Sequence, residues 1–438
     1  MFKEQFETND QFATHFWVHP KAIYYEGDHK RTYCVWVDTD PANWDVYARY
    51  YDHDSDTWSS ATKVIDLTTS SDGHMSPAIG VLPDGKLIVF GGGHGESLKY
   101  KVSTNPEDTA AWTGSAYFAT DYAYPQVCSF SDKVVLFARF SEAADHCLWR
   151  KFTTTDGVSW SGPTTCLDWG KKTAPYLCFR KDATYILVSG CEYSYVTAEA
   201  TNIYFAYSDD KGETWKKANG TSTTLTESNM LIAETPHHTC YTFPMLDEKN
   251  QPLIFTNRYY LMKIYASQYS ATVGSSGTWS TAFIKDLEGN EYDCFYNQTA
   301  WPFIQNGAVR FYAKNTKTRR LQKFYRVKRL WTDYNVFAAE YSDEDYVLSD
   351  TTNGAVYTPV QEVPTYGKRV LSIGEDCITK ASEYRIVARY GGEREDEPTA
   401  FESTYPDRAF FDDARFDHAR FDMYTLDWHK MNEGLKKM

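Results

Sequence analysis

Six tryptophans recur along this chain at near-even intervals, and each closes a segment with the same internal order. Trp58, Trp112, Trp160, Trp215, Trp279 and, less clearly, Trp331 are separated by 54, 48, 55, 64 and 52 residues. Each segment opens with a strand bearing Pro or His, continues through an apolar and then an aromatic strand, and ends on the Trp. Helical periodicity is scarce: short β-rich runs alternate with Gly, Asp, Asn and Ser turns almost throughout. A four-stranded blade with its loops needs about 40–50 residues, so the repeat specifies an all-β chain built as a β-propeller of four-stranded antiparallel blades. Seven blades fit best, and the spacing also tolerates six or eight. No Pro/Ser/Gly tract divides the chain, so residues 1–438 read as a single domain. Residues 14–334 supply six blades, and 335–438 an elaborated last one containing RVLSIG (369–374), EYRIVARYGG (383–392) and a doubled ARFD (414–417, 419–422). An N-terminal strand near Phe16 to Tyr25 is expected to complete that blade, because closure removes the open edge.

One copy of the repeat carries a sharper mark. Ser208 to Trp215, SDDKGETW, fits the pattern S-x-D-x-G-x-T-W, the Asp-box of sialidase-like blades. Thr155 to Trp160 and Asp54 to Trp58 are degenerate copies. The Asp caps the turn's amides, the Gly takes a positive φ, and the Trp packs between blades. These residues are read as structural, since the box lies away from the propeller axis.

Bulk properties narrow the partners. The formal net charge is −14, with 59 acidic against 45 basic residues, and no basic run is present to neutralise phosphates. That argues against nucleic acid, and any anionic substrate must be met by a local cluster of Arg, Lys and His. Aromatics reach 16%, and Tyr and Trp rings line sugar-binding clefts as well as strands. Nine widely spread cysteines (34, 128, 147, 166, 178, 191, 240, 294 and 377) form no CxxC or CxC pair. This is neither a zinc pattern nor a disulfide framework, and buried thiols are expected. No metal site and no cofactor is expected for catalysis; a structural ion is left open. The N-terminus lacks an apolar signal core, and no uncharged run is long enough to span a membrane. Secreted action without a visible leader, a virus-encoded product and a cytoplasmic one all stay open.

In a propeller, residues just before the innermost strands of successive blades converge on one face. GHMSP (73–77), AYPQV (123–127), APYLC (174–178), PHHTC (236–240) and TAWPF (299–303) supply His74, Tyr124, Tyr176, His237, His238 and Trp301. Second-strand ends add His94, Arg139, Glu192, Tyr193, Asn257 and Arg258, with Tyr259 beside them. His74 and His94 bracket one hairpin, Asp72 to Gly95, whose strands meet at the Pro83-Asp84-Gly85 turn.

The succession H-x-S-P, G-G-x-H, Y-P and F-x-R, together with the Asp-box, resembles the BNR-repeat propellers that include the ulvan lyases, over roughly Ala22 to Tyr260. That resemblance implies a seven-bladed polysaccharide lyase in which His74, His94, Tyr124 and Arg139 form the catalytic centre, with Tyr122 as the alternative tyrosine. It implies an acidic polysaccharide as partner. Removing the proton beside a uronate carboxylate needs that carboxylate neutralised and a base within hydrogen-bond reach. Arg139 and His94 suit neutralisation, and His74 and Tyr124 suit the acid and base in either order. A cation beside Tyr124 would favour its phenolate. Tyr122, Tyr176, Glu192, Tyr193, His237, His238, Asn257, Arg258, Tyr259 and Trp301 are the candidate substrate-binding residues. The plainer alternatives are an Arg139 paired within its blade and a Tyr124 that merely packs. Two rival functions stand beside the lyase: a non-catalytic glycan-binding propeller, and a sialidase-like glycosidase. The second requires a carboxylate pair that Asp72, Glu96, Asp121 and Glu192 do not recognisably form.

Overall fold

The computed structural model describes residues 20–40, 43–55, 57–67, 75, 77–93, 97–114, 116–118, 121–197, 199–235, 239–258 and 263–284, together with nine strands outside that range (3–7, 303–305, 308–315, 320–329, 335–339, 346–347, 355–358, 369–373 and 387–390). Its regular structure is almost all antiparallel sheet; the one helix among the described residues is the single turn Glu227–Met230. The first sheet runs Ala22–Glu26, Lys30–Asp40, Asn43–Asp52 and Thr57–Trp58, and the second Ala78–Val81, Lys86–Gly92, Leu98–Pro106 and Ala116–Tyr117. The third is Tyr122–Ser129, Val134–Ala143, His146–Thr154 and Ser161–Asp168. The fourth begins Thr173–Asp182, Tyr185–Ser194 and Glu199–Ser208, and is joined to the third by one parallel bridge, His146 to Thr173. Thr239–Leu246, Pro252–Arg258, Lys263–Tyr269 and Trp279–Phe283 form the next sheet, and Phe303–Gln305 starts another.

First strands of successive sheets touch in order: Ala22–Glu26 against Ala78–Val81, that strand against Tyr122–Ser129, then Thr173–Asp182, then Thr239–Leu246. Sheets whose inner strands meet in sequence are arrayed radially, which is propeller geometry. Polar side chains stitch these inner strands together. Gln126 donates from Nε2 to the Leu177 carbonyl and accepts at Oε1 from the Phe179 amide, so one carboxamide bridges the third and fourth sheets. Ser129 Oγ accepts from the Val81 amide in the same way.

The tryptophans seal the gaps between sheets. Ser208 Oγ accepts from the Gly212 amide, and Asp210 Oδ1 accepts from the amides of Glu213 and Thr214. With its turn so fixed, Trp215 is buried against Phe137 of the third sheet and Phe179 of the fourth. Asp156 repeats the arrangement on the amides of Val158 and Ser159, and Trp160 packs on Phe90, Tyr100 and Phe118 of the second sheet. In the first sheet the capping carboxylate is Asp52, which accepts from the Asp54 and Ser55 amides, two residues before the Asp54 at which the degenerate copy was expected to begin.

The N-terminal stretch differs from expectation. Ala22–Glu26 pairs with Lys30–Asp40 as the inner strand of the first sheet, while Lys3–Glu7 is the stretch that lies antiparallel to Ala355–Thr358. Ala22 and Ile23 are both buried, so this strand is held by a core contact that places it inside the first sheet. Trp331 and the doubled ARFD motif lie outside the described residues. No helix among the described residues is long and apolar enough to cross a membrane. Six described cysteines are thiols, with Cys166 half-buried and Cys34, Cys128, Cys147, Cys178 and Cys191 buried.

Candidate active site

The hairpin predicted between the two histidines is present. Its register is Ala78 to Phe90, Ile79 to Val89, Gly80 to Ile88 and Val81 to Leu87, closed by Gly85 at φ 82°. The Leu82 amide donates to the Lys86 carbonyl and the Lys86 amide to Asp84 Oδ1. His74 and His94 themselves lie outside the described residues, as do His237, His238, Tyr259 and Trp301. The backbones of Asn257 and Arg258 belong to the strand Pro252–Arg258. Their neighbours on the hairpin are informative. Met75, directly after His74, is buried in the core between the first and second sheets. Gly93, directly before His94, has φ 93°, and a Cβ on it would stand 2.4 Å from the Tyr122 carbonyl oxygen and 3.2 Å from Ala123 Cα. The end of the hairpin therefore abuts the start of the third sheet, where Tyr124 is.

Tyr124 sits in a β-bulge. Ala123 pairs with Arg139 and Gln126 with Phe137, so Tyr124 and Pro125 together oppose Ala138. Proline is tolerated here because the inner strand is a sheet edge. Tyr124 takes φ 54°, a left-handed conformation costly for a residue with a Cβ. Bulges re-aim side chains, and strain of this kind collects at functional positions. Arg139, on the next strand, places its guanidinium 4.3 Å from the Tyr124 ring centroid and 5.1 Å from that of Tyr176. A planar cation over two phenol rings is a cation–π arrangement. Both residues are deep: Tyr124 is 0% and Arg139 1% exposed.

The aromatic wall continues into the fourth sheet. Tyr176 lies edge-on to Tyr193, and Tyr193 edge-on to Tyr195. Burial, and next the Cys147 thiol, raise the Tyr195 pKa well above the ordinary phenol value, while the positive charge of Arg139 opposes them. Cys147 Sγ is 3.2 Å from the Tyr195 hydroxyl. Tyr195 was not among the sequence candidates, although C-E-Y-S-Y places residues 191, 193 and 195 on one face by alternation.

Alternation separates Glu192 from this wall, and the bulge separates Tyr122. Glu192 lies one residue off this face, where Tyr204 donates its hydroxyl to Oε2 and Thr201 donates to Oε1. Burial and the neighbouring Glu192 together raise the Glu227 pKa. Tyr122 faces the second sheet, its ring among Phe118, Phe140 and Phe152 and its hydroxyl accepting from Arg150 Nη1 at 2.9 Å. Tyr124, Arg139, Tyr176 and Tyr193 are thus brought together, whereas Tyr122 and Glu192 occupy other surroundings. Among the described residues no group of three His, Cys, Asp or Glu side chains is placed to hold a metal ion.

Solved structures that the chain resembles include polysaccharide lyases. A PL25 ulvan lyase matches over 89% of this chain and 96% of its own at 16% identity, with a TM-score of 0.65. A structure of a PL25 ulvan lyase bound to -[GlcA(1-4)Rha3S]- gives 15% identity, the same coverage and a TM-score of 0.62. The polysaccharide lyase Uly1 gives 12% identity over 86% of this chain and 90% of its own, with a TM-score of 0.55. At such identities the likeness establishes the β-propeller fold. No curated protein matches the chain. The model of the BNR repeat-containing family, in contrast, matches residues 31–287, more than half the sequence and all of the second, third and fourth sheets, and the chain belongs to that family.

Proposed function

We propose that this propeller is a polysaccharide lyase that cleaves a uronic-acid-containing polymer by β-elimination. The observation that carries the reading is the buried Arg139 guanidinium over the rings of Tyr124 and Tyr176, with Tyr124 strained in a bulge against the hairpin that leads to His94. A guanidinium in a low-dielectric wall is suited to neutralise a uronate carboxylate, where its charge counts for far more than in water. Neutralisation acidifies the adjacent C5 proton and stabilises the dianion that forms when the proton leaves. His74 and Tyr124 are assigned to proton removal and to protonation of the departing O4, and His94 to the carboxylate beside Arg139. The hairpin register supports this reading: with Ala78 opposite Phe90, the segment that leads to His74 and the one that leads to His94 leave the hairpin at the same end. The turns carrying Asp156 and Asp210 are Asp-boxes in this reading, and they serve the fold.

The depth of Tyr124 and Arg139 favours a second reading, a propeller that holds an acidic glycan without turning it over, in which these two residues are core. Turnover separates the two. A lyase produces an unsaturated uronate with a short-wavelength ultraviolet absorbance when mixed with a panel of uronate polymers, and Arg139→Ala and His74→Ala abolish that signal while the protein stays folded. A full panel without signal overturns the lyase and leaves the binding module.

A further inference from the structure

Arg150 lies on the strand His146–Thr154, opposite Ala138 on one side and Thr165 on the other. That register puts it on the same face as Phe140 and Tyr122, toward the second sheet. Its guanidinium carbon is 3.6 Å from the Phe140 ring centroid, and Nη1 donates to the Tyr122 hydroxyl. The side chain is half-buried, yet it makes no ion pair with a carboxylate among the described residues. Arg31, Lys63, Lys151 and Lys211 are each paired with one. In a chain with 59 acidic and 45 basic residues, a cation held in place but left without a counter-charge is a ready receptor for an external anion. Of its five N–H donors one is engaged by Tyr122, which leaves an edge for a bidentate acceptor.

Its position ties it to the candidate site. The Tyr122 residue that holds Arg150 is the one whose carbonyl abuts Gly93, and Tyr124 is two residues on. Arg139 pairs with Trp149 and Ala138 with Arg150, so the two guanidiniums stand one step apart on adjacent strands but on opposite faces of the third sheet. Adjacent strands are about 4.8 Å apart, so the two side chains leave the same part of the sheet, one from each face. We propose that Arg150 binds an acidic substituent, carboxylate or sulfate, on a polysaccharide residue flanking the one held at Arg139. The proposal rests on the acidic-glycan reading above and does not require that the protein cleave its ligand.

The test uses the full chain and its Arg150→Met and Arg150→Lys variants in gels containing a uronate polymer, a sulfated dextran or neutral dextran. Loss of one charge-assisted bidentate contact weakens binding about tenfold or more in Arg150→Met, on the polymer whose acid it recognises, and neutral dextran stays inert. A larger loss on the uronate polymer assigns a carboxylate, and on the sulfated dextran a sulfate. If Arg150→Met does not fold, Arg150→Lys decides, because a point charge without the planar fork must still bind several-fold more weakly. Wild-type retention by a folded variant on both acidic polymers overturns the proposal, as does a wild-type protein that binds neither. Arg150-dependent binding without unsaturated product overturns the lyase and keeps this site. Product formation by Arg150→Met with an unchanged KM keeps the lyase and removes this site.

Discussion

Replacing Gly93 with alanine tests whether the join between the second and third sheets is as tight as its geometry says. Two costs add there. The φ of 93° is one that a residue with a Cβ reaches only at about 1–2 kcal/mol. The new Cβ would also stand 2.4 Å from a backbone oxygen, which cannot swing aside, and forced repacking costs about 1–3 kcal/mol. Unfolding entropy of about 2.1 cal/mol/K per residue gives roughly 0.9 kcal/mol/K for this chain, so the sum lowers Tm by about 2–5 °C. Two other glycines calibrate the result. Gly170 has φ 85° with nothing within 4 Å of its Cβ position, so Gly170→Ala carries only the first cost and loses about 1–2 °C. Gly114 has open space and no such φ, so Gly114→Ala melts within about 1 °C of wild type. The displaced Tyr122 and Ala123 backbone also moves Tyr124, and for a lyase a shift approaching 1 Å costs about a hundredfold in turnover. Scanning calorimetry of the three variants gives the order. A Gly93→Ala protein that melts with Gly114→Ala and works as wild type refutes the contact.

Trp215→Ala empties a site between Phe137 and Phe179 and destabilises the protein by about 3–5 kcal/mol, read as a lower denaturant midpoint. Amides of Ser159 and Val158 hold the Asp156 pKa down at about 2. A depressed carboxylate contributes stability above its unfolded value and loses it as pH falls through its folded one, so Trp160 fluorescence changes between about pH 4 and pH 2 in wild type and not in Asp156→Asn. Burial pushes the Cys166 thiol up to about 12, and native protein at pH 8 leaves it unmodified by a thiol reagent until denaturant is added. Gln126→Glu removes the donor to the Leu177 carbonyl and buries a charge, which lowers the denaturant midpoint more than Gln126→Met does.

How much could be read beforehand depended on how local the cause was. The turn at Ser208 to Trp215 and the hairpin from Ala78 to Phe90 are decided within a dozen residues, by an Asp, a Gly and strict alternation, and both were legible. The aromatic order of each segment was enough to place Trp160 and Trp215 between sheets. Tyr124 and Arg139 could be named from their spacing. Their stacking could not, because it follows from a bulge that breaks the period of two at Pro125. Tyr122 and Glu192 were grouped with them by position; alternation alone would have turned Glu192 to the opposite face, whereas Tyr122 is separated from Tyr124 only by the bulge. The N-terminal pairing of Lys3–Glu7 with Ala355–Thr358 spans the whole chain and leaves no local trace. Arg150 has no motif, and only its stacking on Phe140 and its hydrogen bond to Tyr122 distinguish it from any surface arginine.

The seating of Trp160 on the second sheet, and of Trp215 across the third and fourth, has a consequence for how the chain is made. The aromatic flanks of the second and third sheets are each covered by a tryptophan encoded about a repeat downstream. During synthesis, a sheet that has left the ribosome keeps an uncovered apolar side until its successor arrives, and the growing edge at every moment is sticky. Stalled or truncated products therefore end on an exposed Phe- and Tyr-rich surface, the kind that chaperones bind and that aggregates nucleate on. The tryptophan interval sets how many residues must be translated before each such surface is put away.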